Sequence, residues 1–129
     1  MSSFTDTLET DVLTQFFTTA SAPTRPTEWH LSLHTADPGE TGSTSAEVSG
    51  NGYGRKPITF TVSASNASNN AAIEFASATG SWGTITHVGV NTASSGGTML
   101  AYGALTTSRA IVSGDVLRVP SGDLDINLS

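Results

Sequence analysis

Residues 28–34 read EWHLSLH, and the alternation in this stretch is the strongest indication of the fold. Trp29, Leu31 and Leu33 fall on one side of an extended chain, and the polar residues between them fall on the other. An apolar period of two is typical of a half-buried β-strand. We therefore expect one face of this strand in the core and the other, which carries His30 and His34, in water.

Similar patterns recur downstream of this stretch. The predicted strands cover residues 58–62, 73–75, 84–90, 99–105, 110–112, 116–119 and 124–128. Clusters of Gly, Pro, Asn, Asp and Ser separate them and are typical of turns. About seven or eight short strands at such spacings predict an antiparallel β-sandwich with a jelly-roll-like arrangement.

Upstream of the stretch the apolar period becomes that of an α-helix. The apolar stripe consists of Phe4, Leu8, Val12 and Phe16, with Leu13 and Phe17 beside it. Ser2 or Ser3 can cap this helix, and Pro23 and Pro26 cannot continue it. The sequence therefore predicts two parts: an N-terminal amphipathic helix with a proline-bounded arm (1–27) and a β-sandwich domain (28–129).

The helical stripe needs a surface to pack on, because an isolated helix of about 15 residues is marginal in water. That surface is either the chain's own sandwich or a neighbouring subunit. For the second case, the candidate subunit interface comprises Phe4, Leu8, Val12, Phe16, Phe17, Glu40 and Glu47.

A long glycine- and serine-rich segment, HTADPGETGSTSAEVSGNGYGR (34–55), follows the first strand. Its three glycines at 50, 52 and 54 lack the spacing, the preceding strand and the following helix of a dinucleotide-binding loop. They are better explained as residues that permit positive φ, with Tyr53 placing its ring on the core. Loops of this length usually have a function, and we expect residues 39–49 to become ordered against a neighbouring subunit.

Composition excludes several classes of function. The net charge is −6, and the five basic residues are scattered, which disfavours binding to nucleic acid. Cysteine is absent, so thiol chemistry and Cys-based metal sites are excluded. Neither a membrane span nor a signal peptide is recognisable. Only 12% of residues are charged, and such a surface is suited to contact with other proteins.

No motif predicts catalysis, a cofactor or a metal. On a strand, His30 and His34 would be about 13 Å apart, too far to share one ion, and His87 is more simply a packed histidine. Asp37, Glu40 and Glu47 lack the spacing of a calcium loop. We therefore predict that the protein is not an enzyme and binds no cofactor or metal.

Several segments resemble a known family when taken in order. They are LSLHTADPGETG, EVSGNGYGR, NNAAIEFASATGSWGTITHVGV, GTMLAYGALTTSRAIVSGD and GDLDI. Together they are similar to small virion proteins of tailed bacteriophages that are usually labelled tail-fibre or tail-fibre-like. The resemblance covers about residues 28–128, and it brings no catalytic residue with it.

The resemblance implies a structural virion protein that is made in the cytoplasm of a host bacterium and lies on the particle surface. Its partners would be copies of itself, for which we expect a trimer, and either the major capsid protein or a tail protein. A head-decoration (cement) subunit is the expected role. The alternative is a small tail-fibre or tail-tip subunit that binds a host receptor or glycan, for which Trp82 or Tyr53 could offer an aromatic ring.

Overall fold

The structure, a computed structural model, describes residues 3–21 and 24–127. It is 38% strand and 10% helix, and its sheets are antiparallel, which confirms the predicted β-rich sandwich class. In chain order the elements are β1 (Ser3–Phe4), α1 (Asp6–Phe17), β2 (His30–His34), β3 (Lys56–Pro57), β4 (Phe60–Ser63), β5 (Asn66–Asn69), β6 (Ile73–Glu74), β7 (Gly83–Asn91), β8 (Met99–Ile111), β9 (Arg118–Val119) and β10 (Asp125–Asn127).

The main sheet has five strands in the order β1-β8-β7-β2-β3. Its centre is the long hairpin of β7 and β8, whose register is interrupted by a wide bulge. Ile85 pairs with Arg109 and His87 pairs with Ala104, so Thr86 alone faces the whole segment 105–108. Extra residues on one strand bend it and raise its local twist, and the bulge therefore lifts this part of β8 out of the regular sheet.

Two smaller sheets, β10-β5-β4 and β6-β9, lie on the other side of the core. The main sheet contributes Leu31, Leu33, Val88, Val90 and Ala101 to one continuous cluster of buried residues. The small sheets and the segments beside them contribute Ile73, Phe75, Leu117 and Leu124, and Ile58, which follows β3, joins the same cluster. This apolar layer between sheets is the principal source of stability in a sandwich.

Asn69, which is 2% exposed, ties three segments of the small sheets together. Its Nδ2 donates to the carbonyl oxygens of Ala71 and Pro120, both at 2.9 Å. Its Oδ1 accepts from the amide nitrogens of Gly122 at 3.1 Å and Leu124 at 2.9 Å. One buried side chain thus satisfies backbone groups on both sides of the turn before β10, as buried polar atoms require.

The expectation that one face of β2 lies in water is wrong. Ser32 and His34 are both 0% exposed, like Leu31 and Leu33 on the opposite face. The Met99 side chain lies over this polar face, because a Cβ added at Gly89 would fall 2.8 Å from Ser32 Oγ and 2.9 Å from Met99 Cε. β2 is a central strand between β7 and β3, so both of its faces are buried. The alternation in its sequence distinguishes a polar buried face from an apolar buried face.

The helix differs from its prediction at its start. Phe4 belongs to β1, which pairs with β8 through Phe4 and Ala101, and Thr5 rather than Ser2 or Ser3 occupies the N-cap position. Ser2 lies outside the described residues. α1 ends at Phe17, before the proline-bounded arm, as predicted; Pro23 of that arm also lies outside the described residues.

Candidate interaction surfaces

An exposed apolar patch covers the C-terminal end of α1. It consists of Leu13, Phe16 and Phe17, which are 57%, 70% and 78% exposed, and it is called the helix patch below. The spacings of three and four residues place Leu13 beside both phenylalanines on the helix surface. Single exposed apolar residues are ordinary, whereas a contiguous exposed group is a feature of surfaces that bind other molecules.

The opposite end of α1 is fixed to the main sheet. Thr5 is 1% exposed, and its Oγ1 donates to the carbonyl oxygen of Met99 at 2.7 Å. The amide of Asp6 donates to the carbonyl of Glu40 at 2.9 Å, which joins the helix start to the long loop. The helix is therefore anchored at its first turn, while the helix patch at its last turn is exposed.

Part of the predicted stripe packs on the chain itself. Leu8 and Val12 are half-buried and line a groove of about 490 Å³ between α1, residues 24–27 and Leu100 of β8. Phe4, in β1, is also half-buried and packs against the core. Of the seven candidate interface residues, Phe16, Phe17 and Glu40 are exposed.

A second concave surface, called the β8 cleft below, lies beside the bulge of β8. Its volume is about 310 Å³. Its apolar floor includes Leu31, Val88, Val90, Leu117 and Leu124, and its polar lining includes Thr106, Thr107, Arg109, Arg118, Asp123 and Asp125. An apolar cavity with a few polar groups at its mouth has the general form of a binding site.

The two arginines of the β8 cleft are exposed. Within the described chain, the ion pairs are His30–Glu28 and Arg55–Glu47, so Arg109 and Arg118 take part in neither. Both guanidinium groups thus keep donors available for a bound molecule.

Glu47 and Arg55, at the two ends of the glycine-rich part of the long loop, form a bidentate ion pair. Arg55 Nε and Nη2 each donate to a carboxylate oxygen of Glu47 at 2.8 Å. Arg55 Nη1 donates to the carbonyls of Ala93 at 3.0 Å and Gly96 at 2.8 Å, and Tyr53 Oη donates to Glu47 at 2.7 Å. The arginine that ends this segment therefore holds the chain's own loops together.

The environment of this cluster keeps its charges in place. Burial raises the pKa of Glu47, but the hydrogen bonds from Arg55 and Tyr53 together outweigh burial, so the pKa lies below its usual value. The hydrogen bond to Glu47 raises the pKa of Arg55. Burial, and then the neighbouring Glu47 carboxylate, raises the pKa of Tyr53. Glu47 is thus ionised, and both of its carboxylate oxygens accept hydrogen bonds from Arg55 or Tyr53 of the same chain.

His34 belongs to a buried polar group on β2 and β7. Its Nε2 lies 2.8 Å from Ser32 Oγ, which also accepts from Asn91 Nδ2 at 2.8 Å. Its Nδ1 is buried and has no hydrogen-bond partner among the described residues. Burial lowers the pKa of His34, with a smaller opposing effect of Glu47. The imidazole is therefore held in its neutral form.

The acidic residues considered for calcium do not come together. Asp37 Oδ1 accepts from the Gly39 amide at 2.9 Å, and Glu47 is paired with Arg55. Within residues 3–21 and 24–127, the one close group of three acidic or histidine ligands is Asp6, Glu9 and Glu40, and all three are exposed. Exposed carboxylates in such a group are ordinary.

The aromatic residues considered for glycan stacking are part of the core. Trp82 is 4% exposed, and its Nε1 donates to the carbonyl of Asn51 at 2.9 Å. The ring of Tyr53 stacks on Phe75 with 6.2 Å between centroids and meets Trp82 edge to face at 5.5 Å. This confirms that Tyr53 places its ring on the core, and neither ring offers a free face to a sugar.

The glycine-rich lead-in to β3 adopts the expected backbone at two of its three glycines. Gly50 and Gly52 have φ of 73° and 81°, and Asn51 between them has φ of 53°. Gly54 is not among the residues with positive φ. The segment 50–52 is thus a tight left-handed turn whose carbonyl at Asn51 accepts from Trp82, and it serves the core rather than a phosphate.

Comparison with known proteins identifies the family. A family model described as podophage GP4 fiber I protein gp80 matches residues 3–127, nearly the whole chain. The chain belongs to this family. The comparison with curated proteins finds no match.

Membership of the fiber I family confirms the resemblance to tail-fibre-like phage proteins. The family is one of structural phage fibre proteins, which are virion components. Within the described residues, the structure contains no helix with the length and apolar character that a membrane span requires.

Proposed function

We propose that this fiber I family member is a non-catalytic structural subunit of the phage tail apparatus, where it joins fibre components to one another. The family match over residues 3–127 carries this proposal. The match covers both α1 and the sandwich, so the family's fibre role concerns the helix and the β-domain together.

The architecture supports a joining role. A fibre shaft needs repeated or coiled segments, whereas residues 28–127 fold as one sandwich with a single core. A small unit contributes to a long appendage by occupying a junction, where it contacts several neighbours at once. The helix patch offers one such contact, because burying a large apolar side chain that is otherwise exposed contributes about 1.5–3 kcal/mol.

Head decoration is the second candidate. A compact β-unit with few charges and an exposed docking helix suits attachment to a capsid lattice as well as to a tail, and trimers are expected at the local threefold axes of such a lattice. The fibre description of the family favours the tail. Receptor binding through Trp82 or Tyr53 is disfavoured because both rings are taken up in the core.

Copy number and position in the particle test the proposal. Quantitative mass spectrometry of purified virions should give a ratio to the major capsid protein of a few per cent or less, and antibody labelling should mark the tail. A ratio near one with labelling over the head would overturn the tail role in favour of decoration. Absence of the protein from purified virions would overturn both.

A further inference from the structure

We propose that protonation of His34 opens residues 35–46, called the cover loop below, away from the main sheet while the sandwich core stays folded. The loop leaves β2 after His34 and returns beside it, because Glu47 forms an antiparallel bridge with His34. His34 therefore lies at the base of the loop, where a change in its charge acts directly on closure. This inference is independent of the proposed tail role.

The closed position of the cover loop depends on local backbone hydrogen bonds. The amide of Thr35 donates to the carbonyl of Ala46 at 3.0 Å across its base, and the carbonyl of Glu40 near its tip accepts from the amide of Asp6 in α1 at 2.9 Å. The structure describes all of residues 35–46, and none of them belongs to the apolar core cluster. Segments of this kind open at a lower free energy than the core. The loop can thus open alone, and its opening breaks the tie to the first turn of α1.

Met99 connects the cover loop to the buried imidazole. A Cβ added at Gly42 of the loop would fall 3.1 Å from Met99 Cβ, so the loop backbone lies directly on this side chain. A Cβ added at Gly89 would fall 2.9 Å from Met99 Cε and 3.2 Å from His34 Nε2. The loop and Met99 therefore shield the polar face of β2, on which His34 is 0% exposed. Opening the loop admits water to the imidazole without separating the main sheet from the small sheets.

A row of titratable side chains crosses the main sheet at His34. His87 on β7 and Glu47 after the loop both pair with it, and directly opposed residues of antiparallel strands lie on one face of a sheet. The Glu47 carboxylate already accepts hydrogen bonds from Arg55 at 2.8 Å and from Tyr53 at 2.7 Å. A proton on His34 therefore adds a buried positive charge beside His87 and Arg55, and the carboxylate next to it is already neutralised.

The other elements packed on this face keep their charge unchanged when the pH falls from neutral to mildly acidic. On β8, Tyr102 lies in the neighbouring row, opposite Gly89. Burial, and then the carboxylates of Glu40 and Asp37, raise the pKa of Tyr102, so it stays a neutral phenol. The carboxylates of Glu40 and Asp6, at the contact between the loop and α1, are exposed to water. The charged groups that act on His34 are thus those of the row.

The closed and open states of the loop bind the proton differently. In the closed state, His34 Nδ1 is buried without a hydrogen-bond partner among the described residues. Burial lowers the pKa of His34; Glu47 opposes this effect, and Arg55 and His87 lower the pKa further. In the open state water solvates the imidazole, which restores a pKa of about 6.5. The open state therefore takes up the proton first, and its population rises as the pH falls below about 6.5.

Amide hydrogen exchange of the full chain, resolved by residue with NMR, tests the proposal. The reporters are the amides of Thr35 and Asp6, which both donate to carbonyls of the cover loop. After correction for the intrinsic exchange rate, their protection should fall about three- to tenfold between about pH 7.5 and about pH 5.5, because one proton favours the open state. Amides in the pairing of β7 with β8 should stay at least about tenfold better protected than the reporters at both pH values.

Two variants assign the titrating group. His34→Gln keeps a polar side chain and removes the titration, so the protection of both reporters should change less than about twofold with pH. His30→Gln replaces another histidine on the same face of β2 and is the matched control, which should keep the wild-type response. The wild type gives a readout that needs no variant: the loss of protection should begin near pH 6.5 and follow the uptake of about one proton.

Several results would overturn the proposal. They are a wild-type protection that changes less than about twofold, a response that survives in His34→Gln or disappears in His30→Gln, and an onset near pH 4.5, which would assign the titration to Glu47. Reporters that exchange no faster than the amides of β7 and β8 would show that the loop opens only with global unfolding. If His34→Gln does not fold, the wild-type onset decides. Mass spectrometry of virions tests the tail role separately, so the two can fail independently.

Discussion

Two regions of the molecule contrast with each other. The clamp, formed by Glu47, Arg55 and Tyr53, consists of polar groups that are buried, and the helix patch consists of apolar groups that are exposed. In the clamp, charged and polar groups are largely buried and hydrogen-bonded within the chain, with side chains of Arg55 and Glu47 only 6% and 14% exposed. In the helix patch, large apolar side chains are exposed at 57–78%. The clamp has its partners within the chain, whereas the patch stays largely exposed in the part of the chain that the structure describes. We therefore propose that the first region serves folding and the second serves assembly.

This contrast predicts that substitutions at buried, hydrogen-bonded polar groups lower the free energy of unfolding, whereas substitutions in the helix patch change only association. The first test concerns Asn69, which is another buried and hydrogen-bonded polar side chain and lies in the small sheets. Asn69→Ala removes four hydrogen bonds and leaves buried backbone groups unsatisfied. We expect a loss of about 3 kcal/mol or more in urea unfolding.

Asn70→Ala is the control for that substitution. Asn70 is exposed, and its side chain contacts Thr59, Phe60 and Thr61 at the surface. Asn70→Ala should lower the free energy of unfolding by less than about 1 kcal/mol. Equal losses at positions 69 and 70 would show that the buried amide does not fasten the turn before β10.

The clamp itself is tested with Arg55→Met. This change leaves the Glu47 carboxylate largely buried without its cation and the carbonyls of Ala93 and Gly96 without donors. We expect a loss of about 2–3 kcal/mol in chemical unfolding. Adding Glu47→Gln should recover part of it, because the buried charge is then gone. A double variant that loses the sum of both single effects would contradict the coupling.

The pH dependence of stability tests the buried histidine. The pKa of His34 is lowered in the folded state, so the unfolded chain binds a proton near pH 6.5 that the folded chain does not. Stability should therefore be fully present above pH 6.5 and fall below it, by at most about 1.4 kcal/mol per pH unit. The lowered pKa of Glu47 adds a further loss below pH 4.5.

His34→Gln should flatten the profile between pH 6.5 and 5.5, measured as urea unfolding at each pH, because the titrating group is gone. Val62→Ser, at an exposed residue outside the polar group of His34, is the control and should keep the slope. An unchanged profile in His34→Gln would mean that another group causes the acid sensitivity.

The smallest effect on stability is expected at the helix patch. Phe16→Ser with Phe17→Ser should change the unfolding free energy of the monomer by less than about 0.5 kcal/mol, because both rings are already in water. Thermal unfolding at a concentration below that of assembly measures it. A loss of 2 kcal/mol or more would show that the patch packs on its own chain.

The sequence predicted the central strands well where apolar residues are continuous. The expected strands at 84–90 and 99–105 are present in β7 and β8, and β8 continues through the bulge to Ile111. β5 was missed because its sequence, NASN, has no apolar period and contains residues typical of turns. Hydrogen bonds from β4 and β10 on both sides override that weak local preference.

The candidate interface could be only partly predicted. Helical periodicity correctly placed Leu8, Val12 and Phe16 on α1, but it wrongly included Phe4, which lies in β1. Which part of the stripe packs inward depends on where Thr5 is anchored, and that contact spans 94 residues of sequence. The pairing of Glu47 with Arg55 was missed for a similar reason, since the loop geometry that joins them is not local. The feature of the sequence that could have indicated this ion pair is the presence of opposite charges eight residues apart in a glycine-rich segment. Whether the candidate residues meet another subunit stays a prediction, as does the division of the chain at residue 28.

Sedimentation of the wild type beside two variants tests the contrast between the clamp and the helix patch most directly. Phe16→Ser with Phe17→Ser changes the helix patch, and Val62→Ser, which removes an exposed apolar side chain elsewhere, is the control. The account predicts that the wild type and the control associate, whereas the patch variant associates more weakly and keeps the unfolding free energy of its monomer. Equal association of the patch variant and the wild type, or a wild type that stays monomeric, would contradict the account.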